Sequence, residues 1–337
     1  MLSHNRLGDG GTRMLFHLLS RQCEARIVEI QMNGCEIGDE GLKGIAQYLK
    51  GNTSLERLYL NGNQFHGDET AVTLFVDALN HSSLRHLSLS SNNVGDHFLL
   101  HFLPLLSAPK LRSLHMSMLG LTALSVPVLT SFLSSPASKR LDLLTLNANS
   151  LGYAGVQAII SCVEQHISAL QVLELDANSV EGEEESPTGA RGWTNKLSAA
   201  LMRNSMLKVY TRVAARKAMY YGRILLHALP PPSPAGSSSS HIPPFLTLPP
   251  ELHLLILRQV SDPHRHLTDA QFARVVEYAT SWEPVGSLAA DGTGVGGGTD
   301  AGAGAGPRDG GQEGREVIGR VRWLESVGCM FYERDVE

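Results

Sequence analysis

Cysteine is scarce. Cys23, Cys35, Cys162 and Cys329 are the four in 337 residues, and no two form a C-x-x-C pair. That excludes a zinc knuckle and a disulfide framework, and it fits free thiols in a reducing compartment. No apolar run reaches the 18 residues that a membrane-spanning helix needs, so no membrane insertion is expected. The opening MLSHNRLGDGG lacks the basic start and apolar run of a secretory signal, and the expected location is cytoplasmic or nuclear. Basic excess is missing too. With 28 Lys and Arg against 33 Asp and Glu the net charge is −5, which argues against a general nucleic-acid binder. There is no G-x-x-x-x-G-K-[ST], no H-E-x-x-H and no G-x-S-x-G. The glycine run near Gly296 has no strand before it and no helix after it. The expectation is therefore a non-enzyme with no cofactor and no small-molecule substrate.

What is present is leucine at fixed spacing, within a chain that is 42% hydrophobic and long enough for about two average domains. The pattern Leu55, Leu58, Leu60, Asn63 returns at Leu84, Leu87, Leu89, Asn92; at Leu141, Leu144, Leu146, Asn149; and at Leu170, Leu173, Leu175, Asn178. Variants at Ile27, Ile30, Met32 and at Leu111, Leu114, Met116 put Cys35 and Leu119 in the asparagine place, and Leu2 and Asn5 look like the end of one more motif. Starts at 27, 55, 84, 111, 141 and 170 differ by 28, 29, 27, 30 and 29 residues, a period that belongs to a solenoid. The first part of each unit alternates as a short strand, and the remainder, such as GDEGLKGIAQYLKG, has helical spacing.

A lone unit of this kind cannot fold. Ordering its backbone costs about 1–2 kcal/mol per residue, whereas its few buried aliphatics return only about 1.5–3 kcal/mol each. Neighbours must stack to make up the difference. Stacking buries the turn that leaves each strand, and an asparagine amide can both donate to and accept from the backbone there. Asn5, Asn63, Asn92, Asn149 and Asn178 are accordingly read as a structural ladder, interrupted at Leu119. Asp39, Asp68 and Asp96 sit where helix N-caps are expected, and Pro127 suggests a kink in its helix.

The LxxLxLxxN segments, with the LGDG, IGDEG and VGD that follow them, resemble ribonuclease-inhibitor-type leucine-rich repeats. The resemblance covers about residues 1–229. It implies an α/β leucine-rich-repeat solenoid, a horseshoe with parallel strands inside and helices outside, that acts chiefly as a protein-binding scaffold. With four cysteines the chain departs from the thiol-rich inhibitor that gives the type its name.

If the leucines point into the core, the residues between them line the concave face. Arg57, Tyr59, His86 and His115 then cluster near one end, and Glu174 and Asp176 give the other an acidic tone. Tyr and Arg are common interface anchors, which makes these residues the candidate protein-binding site. The plainer reading is solvated strand residues. His86 and His115 lack a flanking Cys, Asp or Glu inward, so no metal ligands are assigned.

The next repeat start after Leu170 falls at Leu207, which implies an insertion in EGEEESPTGARGW, a loop carrying Glu181, Glu183, Glu184 and Glu185. The helical segment after it holds Lys196, Arg203, Lys208, Arg212, Arg216, Lys217 and Arg223 and reads as a C-terminal cap with a basic face. Residues 230–247 are a Pro/Ser-rich linker. Residues 248–337 form a small helical module, interrupted at about 284–313 by a glycine-rich segment expected to be disordered. Its opening, LPPELHLLIL, is similar at Leu248, Pro249, Glu251 and Ile256 to an F-box, which implies a substrate receptor of a ubiquitin ligase as an alternative. A third reading follows from the resemblance of such repeats to Ran GTPase-activating proteins. Arg57, the one arginine or lysine among the inward strand positions, would then act on a partner's nucleotide.

Overall fold

The computed structural model describes residues 2–21, 26–178, 187–227, 248–281 and 319–333. The chain divides into two compact units, Met1–Ser205 and Met206–Glu337. Cys23, Glu181 to Glu185, the linker and the glycine-rich segment lie outside the described residues.

The first unit alternates helix and strand: α1 (Gly8–Arg21), β1 (Glu29–Gln31), α2 (Asp39–Leu49), β2 (Arg57–Tyr59), α3 (Glu69–Asn80), β3 (His86–Ser88), α4 (Gly95–Leu105), β4 (Ser113–His115), α5 (Val126–Ser134), β5 (Leu143–Thr145), α6 (Gly152–His166), β6 (Val172–Glu174) and the start of α7 (Pro187–His227). The strands form a 6-stranded sheet in sequence order, and all the pairings are parallel. Its register sets Ile30, Leu58, Leu87, Leu114, Leu144 and Leu173 side by side. All of these are buried, in one core with the inner faces of the helices. This is an α/β leucine-rich-repeat solenoid, with a helical C-terminal part beyond it.

Two sets of polar side chains tie neighbouring repeats together, in opposite directions. The asparagines reach back. Asn63 Oδ1 accepts from the backbone N–H of Cys35 (3.0 Å) and Ile37 (3.2 Å), and Asn63 Nδ2 donates to the carbonyls of Met32 (2.9 Å) and Leu60 (2.8 Å). Asn149 does the same for Leu119, Leu121, Met116 and Leu146. Asn92 accepts from the Asn63 N–H and donates to Leu60 and Leu89. Asn178 donates to Leu146 and Leu175. The Cys35 thiol takes part of the same role, donating to the Leu2 carbonyl at 3.2 Å. Asn5 is exposed and bonds only locally, to the Leu2 carbonyl.

The aspartates reach forward, which corrects the capping expectation. Only Asp68 caps its own helix, accepting from the Ala71 N–H at 2.9 Å. Asp39 accepts instead from the backbone of His66, Gly67 and Asp68 in the next repeat, and Asp96 from Thr122 and Ser125. Asp9 serves Gly38 and Gly41 likewise, at the N-terminus of α2, whose own cap residue is Gly38. The carboxylates still satisfy orphan N–H groups at helix starts. The helices they serve lie one repeat on, because the stacking sets those starts beside them.

Further expectations also change. Pro127 falls in the first turn of α5, where a missing N–H costs nothing, so it starts the helix instead of kinking it. Leu207 lies inside α7 and begins no strand. In Pro187–Trp193, expected to belong to a loop, the chain is already helical. The residue before each ladder position has left-handed backbone, at Gly34 and Gly62 but also at His4, Ser91, Met118, Ala148 and Ala177. Five positions therefore accept the strain that glycine avoids in two.

The second unit packs the C-terminal part of α7 with α8 (Pro250–Ser261), α9 (Asp269–Thr280) and a last helix over 319–326. Its core holds Ala215, Ala218, Leu257, Val275 and Trp323. Thr268 and Gln271 form a reciprocal capping box at the start of α9. Burial pushes the Cys329 thiol up to about 12, so it is a packing residue. Among the described residues, no helix is long and apolar enough to cross a membrane.

Candidate functional site

The strand register arranges the inner face in rows. One runs Glu29, Arg57, His86, Ser113, Leu143, Val172, and the next Gln31, Tyr59, Ser88, His115, Thr145, Glu174. Arg57 and His86 are therefore direct neighbours. Tyr59 and His115 share the second row with Ser88 between them. Glu174 lies at its far end, and Asp176 follows just beyond β6. The middle of the wall is close-set: Ser88, Ser113 and Thr145 are buried, and Arg57, Tyr59, His86 and His115 are half-buried, while Glu174 and Asp176 are exposed.

These side chains are engaged with one another. The Arg57 guanidinium bonds the Glu29 carboxylate, which also accepts from Gln31 Nε2. Those hydrogen bonds, Arg57's first, hold the Glu29 carboxyl below the usual range. His115 meets Ser113 Oγ through Nε2 (2.9 Å) and Thr145 Oγ1 through Nδ1 (3.3 Å). Burial lowers the pKa of both histidines. At His86 the nearby charges of Arg57, His115 and Arg85 add to it, and at His115 Glu174 opposes it. Both imidazoles are thus neutral at pH 7, and Arg57 is matched by Glu29. The wall over β2–β4 is polar and aromatic with little net charge, not basic.

Beyond the second row, side chains close the strand ends. Asn33 Oδ1 accepts from the Asn61 N–H, Ser90 Oγ from Ser117, Ser117 Oγ from Asn147, and Asn147 Oδ1 from Asp176. Asn147 Nδ2 also donates to Glu174, at 2.7 Å. Asn33, Asn61, Ser90, Ser117 and Asn147 are spent largely on holding the repeats together.

Three basic residues of α7, Arg203, Lys208 and Arg212, are likewise occupied within their own units. Arg203 donates to the carbonyls of Glu164 and Ile167 at the end of α6, where helix carbonyls lack partners. Arg212 donates to the Met330 carbonyl, and Lys208 lies over the Phe331 ring. In α8, Leu252, Leu255 and Val260 are exposed, while His253 and Leu257 are buried.

On the helical side, Glu69, His97 and His101 bring one ligand atom each within 4.8 Å of one another, a cluster the sequence reading missed. H-x-x-x-H at 97–101 was the available signal, since residues four apart share a helix face. Glu69, the third member, is 28 residues away in sequence and adjacent only through the stacking.

A family model described as Leucine Rich repeat matches residues 27–46 and 80–97. The NACHT, LRR and PYD domains-containing protein 3 of Bos taurus is 31% identical over 176 residues, which is 52% of this chain and 14% of that protein. The chain therefore matches only a small part of its curated relative. Among solved structures, Leiomodin-1 Actin-Binding Site 2 is 14% identical with a TM-score of 0.36, covering 49% of this chain and 88% of that one. The tropomodulin C-terminal domain of Caenorhabditis elegans is 15% identical with a TM-score of 0.34, covering 58% and 93%.

Proposed function

Starting from a ribonuclease-inhibitor-like leucine-rich repeat, which the first unit forms, we propose that the chain is a non-enzymatic scaffold whose concave sheet binds a protein. The observation that carries this is the half-buried group Arg57, Tyr59, His86 and His115 on adjacent strands, with the small Ser88 between Tyr59 and His115. Rigid strands hold an aromatic ring and polar heads at fixed separations, and ordering them on binding costs little entropy. With the histidines neutral and Arg57 matched by Glu29, this end suits an uncharged polar or aromatic surface. Glu174 and Asp176 at the other end suit basic side chains. The partner is then a protein with a neutral contact patch and a basic flank.

Proximity labelling in cells tests this, with wild type compared against an Arg57/Tyr59/His86/His115 alanine variant whose fold is verified by circular dichroism. Loss of a defined set of neighbours is expected. An unchanged set would remove the concave face from the proposal.

A second reading rests on α8, whose Leu252, Leu255 and Val260 face solvent on a helix that opens with LPPE. Such a ridge suits the Skp-type adaptor of a ubiquitin ligase. Pull-down with that adaptor, using the full chain and a Leu252→Asp/Leu255→Asp variant, separates the two readings. No adaptor capture by the wild type would eliminate the ligase reading and leave the scaffold intact. The Ran-type reading needs Arg57 to leave Glu29, and GTPase assays with Arg57→Ala test it.

A further inference from the structure

We infer that the outer face of the solenoid carries a binding site for a divalent ion of the zinc class, formed by Glu69 of α3 with His97 and His101 of α4. The two histidines stand four residues apart and so project from one face of α4, with ring centroids 4.6 Å apart. Glu69, at the first position of α3, reaches that face from the preceding repeat. Its Oε1 lies 3.6 Å from His97 Nε2 and 3.3 Å from His101 Nε2.

Those separations match the chemistry. Histidine nitrogen and carboxylate oxygen bind zinc at about 2.0–2.2 Å, so two ligands at tetrahedral angles stand about 3.4 Å apart. The observed nitrogen-to-oxygen distances bracket that value, and all three ligand atoms lie within 4.8 Å of one another. The tautomer is also prepared. His101 Nδ1 sits 2.9 Å from the His97 carbonyl, a contact that requires the proton on Nδ1, so in the neutral ring it is Nε2 that offers a lone pair toward Glu69. A partner on the other ring nitrogen is the usual arrangement for a metal-ligating histidine.

Two nitrogens and one carboxylate favour zinc or its borderline neighbours over magnesium or calcium, which need shells of oxygen. Three protein ligands leave a fourth position for water or for a side chain of another molecule. The ligands lie on consecutive repeats, so a bound ion would clip α3 to α4 and stabilise the folded chain by mass action. None of these residues belongs to the concave wall, and the site stands or falls apart from the proposed scaffold role.

Titration of the full metal-free chain with Co²⁺ reports both stoichiometry and geometry through its visible d–d absorption, and Zn²⁺ should displace it. One equivalent with a low-symmetry spectrum is expected, together with a rise in Tm on adding Zn²⁺ and none on adding Mg²⁺. Removing even an outer partner of a ligand costs about 10–100-fold in affinity. His101→Ala and His97→Ala should therefore weaken binding by at least about tenfold. His17→Ala, on α1, should leave it unchanged. Glu69→Gln keeps the fold and removes only the charged ligand, so it decides the matter should a histidine variant unfold. The same Co²⁺ spectrum and affinity in Glu69→Gln and His101→Ala, or no saturable binding by the wild type, would overturn the site.

Discussion

The repeat of β2 and the repeat of β4 do the same job with different chemistry. At the end of the first, Asn63 ties its own turn and the preceding one by side-chain hydrogen bonds. At the end of the second, Leu119 is fully buried and its side chain bonds nothing. The solenoid continues past it because Asn149, one repeat on, accepts from Leu119 and Leu121 and donates to the Met116 carbonyl. A ladder built of back-reaching rungs tolerates a missing rung when the next one holds the gap. Backbone groups in a buried turn need a partner, and the fold does not dictate which repeat supplies it.

The largest effect should come from the ribs, which both repeats share. Leu87→Ala and Leu114→Ala each remove a fully buried side chain and should cost about 2–5 kcal/mol in urea unfolding. Equal losses would show that the aliphatic ribs do not depend on the ladder, and a far larger loss at Leu114 would mean that Leu119 weakens its whole repeat. Next come the rungs. Asn149→Ala strands buried groups of a turn that has no amide of its own and should cost about 1–3 kcal/mol. Asn92→Ala removes fewer bonds, and the smaller loss expected for it sharpens the contrast.

A smaller effect should follow pH. The folded pKa values of His86 and His115 lie below the ordinary histidine value of about 6.5. The unfolded chain then binds more protons as the pH falls through that value, and stability drops toward each folded pKa, with no change above neutrality. Unfolding midpoints at pH 7.5 and 5.5 should differ more for the wild type than for a His86→Gln/His115→Gln variant. The smallest change is expected at Leu119→Asn. It gives up about 1.5–3 kcal/mol of buried leucine and regains hydrogen bonds at about 0.5–1.5 kcal/mol each. A strong gain there, by thermal unfolding, would show that the interrupted rung is a real weakness.

The strands were legible before any coordinates because the rib residues recur at a near-constant period, and side by side in a parallel sheet is the arrangement that buries them all. The asparagine positions were legible for a related reason, since a polar residue repeated at the edge of a leucine rib has a buried turn to serve. The aspartates misled. Their place at the start of each helix pointed to local caps, yet Asp39 and Asp96 bond to the following repeat. The candidate wall was legible as a set of positions but not as an electrostatic surface, because the pairing of Arg57 with Glu29 crosses strands.

Period and side-chain type alone were enough to specify a stacked α/β solenoid, since a hydrophobic rib that recurs about every 28 residues has no other way to leave water. Which side chains meet across that interval was settled only when the stacking brought them together. Glu69 beside His97 and His101, Asp39 beneath the start of α3, and neutral histidines in a half-buried wall all depend on contacts between repeats, whose distances and burial no single repeat contains.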